Sequence, residues 1–380
     1  MNAEVVVVGA GVIGLAVAWE LGSRGMKVLV LDRGRVGEGA SSCSLGALMP
    51  HAPTTIGPLQ QLQWASLGMY PAWIAKLEAA TGQSCSYRRA GRVEVLTSSQ
   101  ARSKAQKQVA AQAAWQQHGL TGVLSLHAQV IQEVRDLVES PWGYLCCTAT
   151  AQVAVRPLLT ALVHGIRQQG GDVIENCAVR MLQATPNTCI IGHDHGTLSA
   201  RWVALTCGAW SSQLPCQGLT VPAIVPVKGQ AIHLAREGSE AQGTMPMIKS
   251  DKCYLLDHAG NDWLVGSTTE PDAGFDASIP LPTAELLRGG AGALRHVMMG
   301  RRITNHWAGF RPRSADRQPV IGWLSSTVLI ASGHYKIGVG MAPATAIVIA
   351  DLMEGREAGW PIAAFDPLRP SLYGRRDEEK

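Results

Sequence analysis

The sequence lacks a continuous apolar segment long enough to cross a bilayer. Its two closest candidates, residues 5–19 and 341–353, are short, and glycines interrupt the first of them, whereas a spanning helix needs about 20 apolar residues. No basic residue precedes the first segment, so it also lacks the charged start of a secretory signal peptide. We expect a chain without a transmembrane segment, located in the cytoplasm.

Patterned cysteines are also missing. The nine cysteines form no Cys-x-x-Cys pair and no cysteine–histidine spacing of the kind that binds zinc. Unpatterned thiols are typical of a reducing compartment. We therefore expect neither a structural metal nor a disulfide framework.

Charge of either sign is sparse. Charged residues make up 16% of the chain, and Lys plus Arg exceed Asp plus Glu by only 33 − 29 = 4. Because this surplus is scattered, it argues against nucleic acid or an anionic membrane as a partner. An apolar fraction of 46% over 380 residues predicts an ordinary globular protein, with two domains as the prior expectation.

The amino-terminal residues show a clear pattern of strand, helix and strand. Residues 5–8 are four consecutive valines, typical of a central parallel strand buried on both faces. A helix is predicted over about residues 13–24, followed by a second strand over residues 28–31 and then by Asp32. This order is that of a βαβ unit that binds a dinucleotide.

The turn between the first strand and the helix reads G-x-G-x-x-G, with glycines at 9, 11 and 14. Gly9 permits the tight turn, Gly11 lets the backbone approach a pyrophosphate, and Gly14 lets helix and strand pack closely. Asp32 is suited to accept hydrogen bonds from ribose hydroxyls, which argues against a 2′-phosphate. The motif alone does not separate NAD from FAD.

The stretch "GEGASSCSLGALMPH", residues 37–51, bears on that choice. A nicotinamide dehydrogenase would begin its next βα unit here, but these small residues can instead lie flat against a long, extended ligand. We interpret the segment as favouring FAD. A flexible surface loop is the alternative.

Further motifs follow in a fixed order, at residues 151–162, 202–212, 225–234, 254–270, 306–323 and 333–343. Through these motifs, nearly the whole chain resembles the FAD-dependent D-amino-acid oxidase family, and within it the glycine oxidases of the thiazole-biosynthesis type. The resemblance implies an α/β protein in which a Rossmann-like FAD-binding domain of the glutathione-reductase type is interleaved with an antiparallel-sheet α+β substrate domain. The implied boundaries are 1–84, 146–216 and 308–372 for the FAD-binding domain, 85–145 and 217–307 for the substrate domain, and 373–380 for a tail.

The resemblance also implies FAD held without a covalent bond. Relatives that attach the flavin through a thioether use a cysteine near Arg311, and the last cysteine here is Cys253. The positions that match the family's FAD contacts are Gly9, Gly11, Val12, Ile13, Gly14, Asp32, Arg33, Ala40, Ser41, Ser42, Gly46, Ala47, Leu48, Val179, Cys207, Gly208, Trp210, Gly229, Arg311, His334, Tyr335, Lys336, Ile337, Gly338, Val339 and Gly340.

Three of the matched positions are candidate catalytic residues. By resemblance, Arg311 grips the substrate carboxylate through its planar fork, and Tyr254 lends its hydroxyl to the same group. Lys336 stands where glycine oxidases carry arginine, and we interpret it as a second ligand of that carboxylate. The alternatives are a surface ion pair for Arg311 and a half-buried strand tyrosine for Tyr254.

Other candidates stay open at this stage. Lys228 either supports the electrostatics of the flavin or is a solvated lysine at a strand end. A structural role is favoured over a place in the pocket wall for His51, Trp64, His233, His258 and Trp307.

The stretch "GHYKIGVGMAP" precedes an apolar segment. We predict a helix over residues 344–353 with Pro343 in its first turn. Its positive end would stabilise charge on the reduced flavin, and Gly338 and Gly340 would let the backbone approach the ring.

The implied reaction is oxidative deamination of a small amino acid or N-alkyl amino acid. Hydride passes to flavin N5, water hydrolyses the imine, and dioxygen reoxidises the flavin to give hydrogen peroxide. We expect a homo-oligomer whose ligands are a small amino acid and O2. The alternatives are a dehydrogenase subunit that passes electrons to a partner or quinone, and a flavin-binding chain without activity.

Overall fold

The structure is a computed structural model, and it describes residues 3–50, 56–117, 122–129, 139–237, 245–257 and 262–373. The helices of these ranges are α1 (Val12–Ser23), α2 (Pro58–Thr81), α3 (Ser99–Gln117), α4 (Val155–Gln168), α5 (Leu281–Gly292) and α6 (Gly338–Met353). The strands are β1 (Val5–Val8), β2 (Val28–Leu31), β3 (Ala47–Leu48), β4 (Arg92–Val95), β5 (Leu124–His127), β6 (Tyr144–Cys147), β7 (Ala151–Gln152), β8 (Asp172–Ile174), β9 (Val179–Ala184), β10 (Cys189–His193), β11 (Gly196–Ala200), β12 (Trp202–Leu205), β13 (Cys216–Gln217), β14 (Ile224–Leu234), β15 (Met247–Lys249), β16 (Tyr254–Asp257), β17 (Trp263–Gly266), β18 (Ile303–Ser314), β19 (Val320–Trp323) and β20 (Val328–Ser332).

A six-stranded sheet in the order β19-β20-β12-β1-β2-β8 forms the first half of the molecule. All its pairings are parallel except that of β19 with β20. The valines of β1 alternate between its faces: Val5 and Val7 pack with α1, α4 and α6, whereas Val6 and Val8 pack with the small sheet β11-β10-β9-β13. Burial on both faces explains the unbroken valine run.

An eight-stranded sheet in the order β18-β14-β17-β16-β15-β4-β6-β5 forms the second half. It is antiparallel except where β4 pairs with β15, and α5 packs on it through Ala284 and Leu287. The fold class predicted from the sequence is confirmed. The predicted domain boundaries stay a prediction, although β6 and β18 each continue across one of them.

Several local predictions are also confirmed. The two N-terminal strands have the predicted bounds. Helix α1 begins one residue earlier than predicted. Most of the predicted tail lies outside the described residues.

The prediction for the last helix was wrong. Helix α6 begins at Gly338 rather than at residue 344, so Pro343 lies inside the helix. A proline cannot donate to the carbonyl four residues earlier, which here belongs to Val339. The buried hydroxyl of Tyr70, on α2, donates to that carbonyl instead. The proline is therefore tolerated because a neighbouring helix supplies the missing donor.

Among the described residues, no helix is both long and apolar enough to cross a membrane. All nine cysteines are free.

Candidate active site

A cavity of about 1070 Å³ lies between the two large sheets. It runs from Arg180 and Asp194 on the small sheet, past the turn after β1, to Arg311 and Tyr254 on the eight-stranded sheet. Its volume is at the upper end of the range for small-molecule sites, roughly 300–1,000 Å³. An extended ligand the size of a dinucleotide suits these dimensions.

The glycine turn forms the middle of this cavity wall. Gly9 has φ +112°, and a Cβ at that position would lie 2.6 Å from the carbonyl oxygen of Thr206. Gly11 also lines the cavity. Gly14 does not, because it packs against the turn itself, where a Cβ would lie 1.9 Å from the oxygen of Gly9. The turn therefore has the close backbone packing that its spacing predicts.

Polar groups around the turn suit the phosphates and ribose of a dinucleotide. Asp32 lines the cavity and accepts hydrogen bonds from the backbone N–H groups of Ala10 (2.6 Å) and Gly34 (2.8 Å). Ser41 Oγ accepts one from Val12 N at the start of α1 (2.9 Å). The first turn of a helix offers further N–H groups and a partial positive charge to an anion.

Most of the residues predicted to contact the cofactor line this one cavity. They are Gly9, Gly11, Val12, Ile13, Asp32, Arg33, Ala40, Ser41, Ala47, Val179, Cys207, Gly208, Trp210, Gly229, Arg311, His334, Tyr335, Lys336, Gly338 and Val339. Within the wall, the Arg33 guanidinium carbon lies 4.1 Å from the ring centre of Trp210.

The remaining predicted contacts, Gly14, Ser42, Gly46, Leu48, Ile337 and Gly340, are not among the lining residues. Gly46 has φ +70° and packs on the carbonyl of Val153. Leu48 is a core residue with 1% exposure, and Gly340 faces Leu67 rather than the cavity. Of the two glycines predicted to admit the flavin ring, only Gly338 is therefore in the wall.

Arg311, on β18, projects into one end of the cavity. Its Nη2 donates to Ser267 Oγ (2.8 Å), and its Nη1 donates to the carbonyls of Thr268 (3.0 Å) and Lys228 (3.4 Å). The guanidinium lies directly over Gly229, where a Cβ would be 2.2 Å from both Nη atoms. Burial lowers the pKa of Arg311 from its ordinary value of 12.5. The side chain is thus a fixed cation rather than a surface ion pair.

Tyr254 and Lys336 line the same end of the cavity. Burial raises the pKa of Tyr254 above its usual 10.0, so its hydroxyl stays neutral. Lys336 Nζ donates to Thr269 Oγ1 (3.0 Å). Its pKa is lowered by burial and then by the charges of Arg311 and Arg317.

Lys228 is not the solvated strand-end lysine of one prediction, and its support of the flavin electrostatics stays a prediction. Its side chain is 2% exposed and points away from the cavity wall, with Nζ 3.2 Å from Asp276 Oδ2 and 3.7 Å from Glu270 Oε2. A buried lysine needs such partners. These ion pairs of Lys228 attach the segment after β17 to β14.

The five aromatic and histidine candidates contribute no described residue to the large cavity. Trp64 is fully buried beside Trp115, and His233 packs on Trp307 with ring centres 4.7 Å apart. His51 and His258 lie outside the described residues.

Sequence reasoning missed several wall residues, including Ser267, Thr269, Thr206 and Cys43. Ser267 and Thr269 hold the two cations of the site, yet small hydroxyl residues at a strand end carry little signal by themselves. Cys43 was overlooked because only cysteines near Arg311 in the sequence were considered. Its thiol donates to the carbonyl of Ala308 (3.1 Å), which brings it close to that strand in space.

The parallel sheet, its glycine turn and the adjoining cavity define a dinucleotide-binding protein. The family model for FAD-dependent oxidoreductases (DAO) matches residues 4–352, and the chain belongs to this family. The predicted resemblance is therefore confirmed, and FAD is the cofactor of this enzyme. The cavity length, the glycine turn and Asp32 fit that group.

Two glycine oxidases are similar to this chain over almost its whole length. The chain is 26% identical to glycine oxidase from Geobacillus kaustophilus, over 96% of this chain and 97% of that protein. It is 30% identical to glycine oxidase from Pseudomonas aeruginosa, over 98% of this chain and 99% of that protein. The crystal structure of the Geobacillus kaustophilus enzyme superimposes with a TM-score of 0.87 at 25% identity, covering 97% of this chain and 99% of that one.

Proposed function

We propose that this enzyme oxidises a small amino acid or N-alkyl amino acid at the carbon next to its carboxylate. The observation that carries the proposal is Arg311, a half-buried cation fixed by Ser267 and Thr268 at one end of the cofactor cavity. An arginine held in this way is suited to a bidentate carboxylate contact. The similarity to two glycine oxidases supports the same substrate class.

In this proposal, bound FAD supplies the hydride acceptor and passes the electrons to dioxygen, giving hydrogen peroxide. The protein's part is to position the substrate and balance its charge. Arg311 binds the carboxylate, and the neutral hydroxyl of Tyr254 donates to the same group. No side-chain base is required, because an amine that enters neutral needs orientation more than deprotonation.

We also propose that FAD is bound without a covalent link. Two thiols line the cavity, those of Cys43 and Cys207. Burial raises the pKa of both, that of Cys207 to about 12, and each thiol donates to a backbone carbonyl. Protonated thiols are poor nucleophiles. Flavin released in full by acid precipitation would agree with this; flavin retained on the chain would contradict it.

The test is anaerobic bleaching of the flavin by glycine, sarcosine, and D- and L-amino acids, followed by admission of air. We expect bleaching by at least one of them and peroxide on reoxidation. Arg311→Ala should lower kcat/KM by about a hundredfold or more, because the charge partner of the substrate carboxylate is removed. Arg317→Ala, which removes an exposed arginine, is the matched control. Equal activity of Arg311→Ala and this control would overturn the proposal.

A dehydrogenase that passes electrons to a partner is the second candidate, and one observation favours it. Large apolar side chains are exposed on and around α5, namely Ile279 (44%), Leu281 (67%), Leu286 (72%), Val297 (45%) and Met299 (55%). Such a concentration marks a contact surface. A second copy of this chain, as in the predicted homo-oligomer, would also cover it. Bleaching by substrate without peroxide formation in air would select the dehydrogenase.

A further inference from the structure

The short segment that follows β17 runs alongside β14 in extended form. Thr268 N donates to the carbonyl of Gln230 (3.2 Å), and Glu270 and Lys228 exchange backbone hydrogen bonds (2.9 and 3.2 Å). Side chains therefore alternate along residues 267–270. Ser267 and Thr269 line the cavity, whereas the Thr268 hydroxyl accepts from the backbone N–H of Gln230.

Each of the two cavity-facing hydroxyls holds a different cation. Ser267 Oγ accepts from Arg311, and Thr269 Oγ1 accepts from Lys336. Two residues of extended chain separate these anchors by about 6.5 Å, since a strand advances roughly 3.3 Å per residue. The cationic groups are thus attached at two positions along one wall.

Arg311 is equipped for one carboxylate. Its three protein hydrogen bonds use both N–H groups of Nη1 and one of Nη2. Within the described ranges, its Nε–H and the second N–H of Nη2 remain for a ligand, and one planar carboxylate can accept both. The ammonium of Lys336 has donors left after its bond to Thr269, so it can bind a second anion.

The acidic groups near Arg311 and Lys336 do not neutralise these two cations, so the local net charge stays positive. Glu270 is turned towards Gln230 and Lys228, away from the wall. Asp251 lines the cavity next to Lys252, so these two charges offset each other. Partial burial and then repulsion by Arg311 and Arg317 lower the pKa of Lys336, and a second negative charge on the ligand would offset that repulsion.

We propose that Lys336 and Thr269 form a subsite for a second carboxylate, and that the preferred substrates are dicarboxylates: acidic amino acids or N-carboxymethyl amino acids. This inference rests on the proposed function, because Arg311 must bind the carboxylate next to the oxidised carbon. It assigns to Lys336 a different carboxylate from the one that the sequence analysis gave it.

The test compares substrates that differ only in the second carboxylate. Aspartate is paired with asparagine and glutamate with glutamine, each as D and L enantiomers. We expect kcat/KM to be about tenfold or more higher for the acid than for its amide, in at least one pair, because a charge-assisted hydrogen bond is lost in the amide. In Lys336→Met, we expect the acid-to-amide ratio of kcat/KM to fall to about one. Arg317→Met deletes a charge that also repels Lys336 but is absent from the wall, and it should keep the ratio.

Two outcomes would overturn the subsite. One is an acid-to-amide ratio near one in the unmodified enzyme. The other is an equal loss for acid and amide in Lys336→Met, which would place the lysine on the first carboxylate.

A second measurement separates this inference from the proposed function. The melting temperature of the FAD-loaded enzyme is recorded with acetate, malonate, succinate and glutarate at equal ionic strength. We expect a larger increase with one of the dicarboxylates than with acetate, and loss of that difference in Lys336→Met. If no amino acid bleaches the flavin, the proposed function fails, and this comparison still decides the subsite. Equal shifts with all four anions would refute it.

Discussion

Gly229 and Arg311 lie on the paired strands β14 and β18 so closely that no side chain fits between them. Gly229 pairs with Gly309, two residues before Arg311, and a Cβ on Gly229 would lie 2.3 Å from the guanidinium carbon. Gly229 was predicted to contact the cofactor. Its lack of a side chain also explains how the half-buried guanidinium of Arg311 can lie against the sheet.

Gly229→Ala should therefore displace Arg311 and disable substrate binding. We expect kcat/KM to fall by about a hundredfold, because a small misplacement of a binding group is costly, while the melting temperature changes little. Gly289→Ala is the control, since a Cβ there meets nothing within 4 Å. Steady-state kinetics and thermal unfolding of both variants check the prediction. Full activity of Gly229→Ala would show that Arg311 does not need its present position.

Asp32 should contribute to FAD affinity. Asp32→Asn removes the negative charge at the end of β2, and we expect the Kd for FAD to rise about tenfold, the usual effect of losing a charged hydrogen bond. The measurement is fluorescence titration of the apoenzyme with FAD. Glu20→Gln is a matched control on α1, since Glu20 pairs with Arg24 and is absent from the cavity wall. A Kd for Asp32→Asn equal to that of the control would exclude Asp32 from the site.

Tyr70→Phe should destabilise the protein through α6. It leaves the buried carbonyl of Val339 without the donor that replaces Pro343, at a cost of about 1–3 kcal/mol. Pro343→Ala restores a backbone N–H to the helix, so Tyr70→Phe should cost less in that background. Urea unfolding of the single and double variants measures the difference. Tyr373→Phe, which loses a hydroxyl from a more exposed tyrosine, is the control; additive effects would contradict the coupling.

His334 should make the protein sensitive to mild acid. It is 2% exposed and hydrogen-bonded to Thr345 Oγ1 (3.1 Å), and burial lowers its pKa from 6.5 to about 3. Between those values the unfolded chain binds more protons than the folded one, so stability falls as pH drops from 6.5 towards 3. We expect His334→Gln to lose less stability over that range. Denaturant unfolding at several pH values checks this, and parallel curves would refute it.

The sequence was most informative where one local signal had one physical cause. Four valines and the spacing of Gly9, Gly11 and Gly14 predicted β1, its turn and α1 to within one residue, because strand burial and close packing leave few alternatives. Arg311 was also recognisable, since its motif carried the family resemblance.

The sequence was least informative where a role depends on distant chain segments. Nothing near Pro343 indicates that Tyr70, on another helix, would replace its hydrogen bond. A solvated strand end stayed open as one of two roles for Lys228 because its partners, Glu270 and Asp276, come 270 − 228 = 42 and 276 − 228 = 48 residues later. Ser267 and Thr269 were missed for the same reason, since the cations they hold come from β18 and from the turn before α6.

The packing of α6 against α1 joins two segments that are far apart in sequence. Arg24, at the end of α1, pairs with Asp351 and Glu354 (both 2.6 Å), and β20 completes the sheet next to β12. The glycine turn and the helix that supports it are therefore far apart in sequence, since α6 begins 338 − 14 = 324 residues after Gly14. We expect a chain cut before α6 to carry the whole glycine signature and still fail to retain flavin.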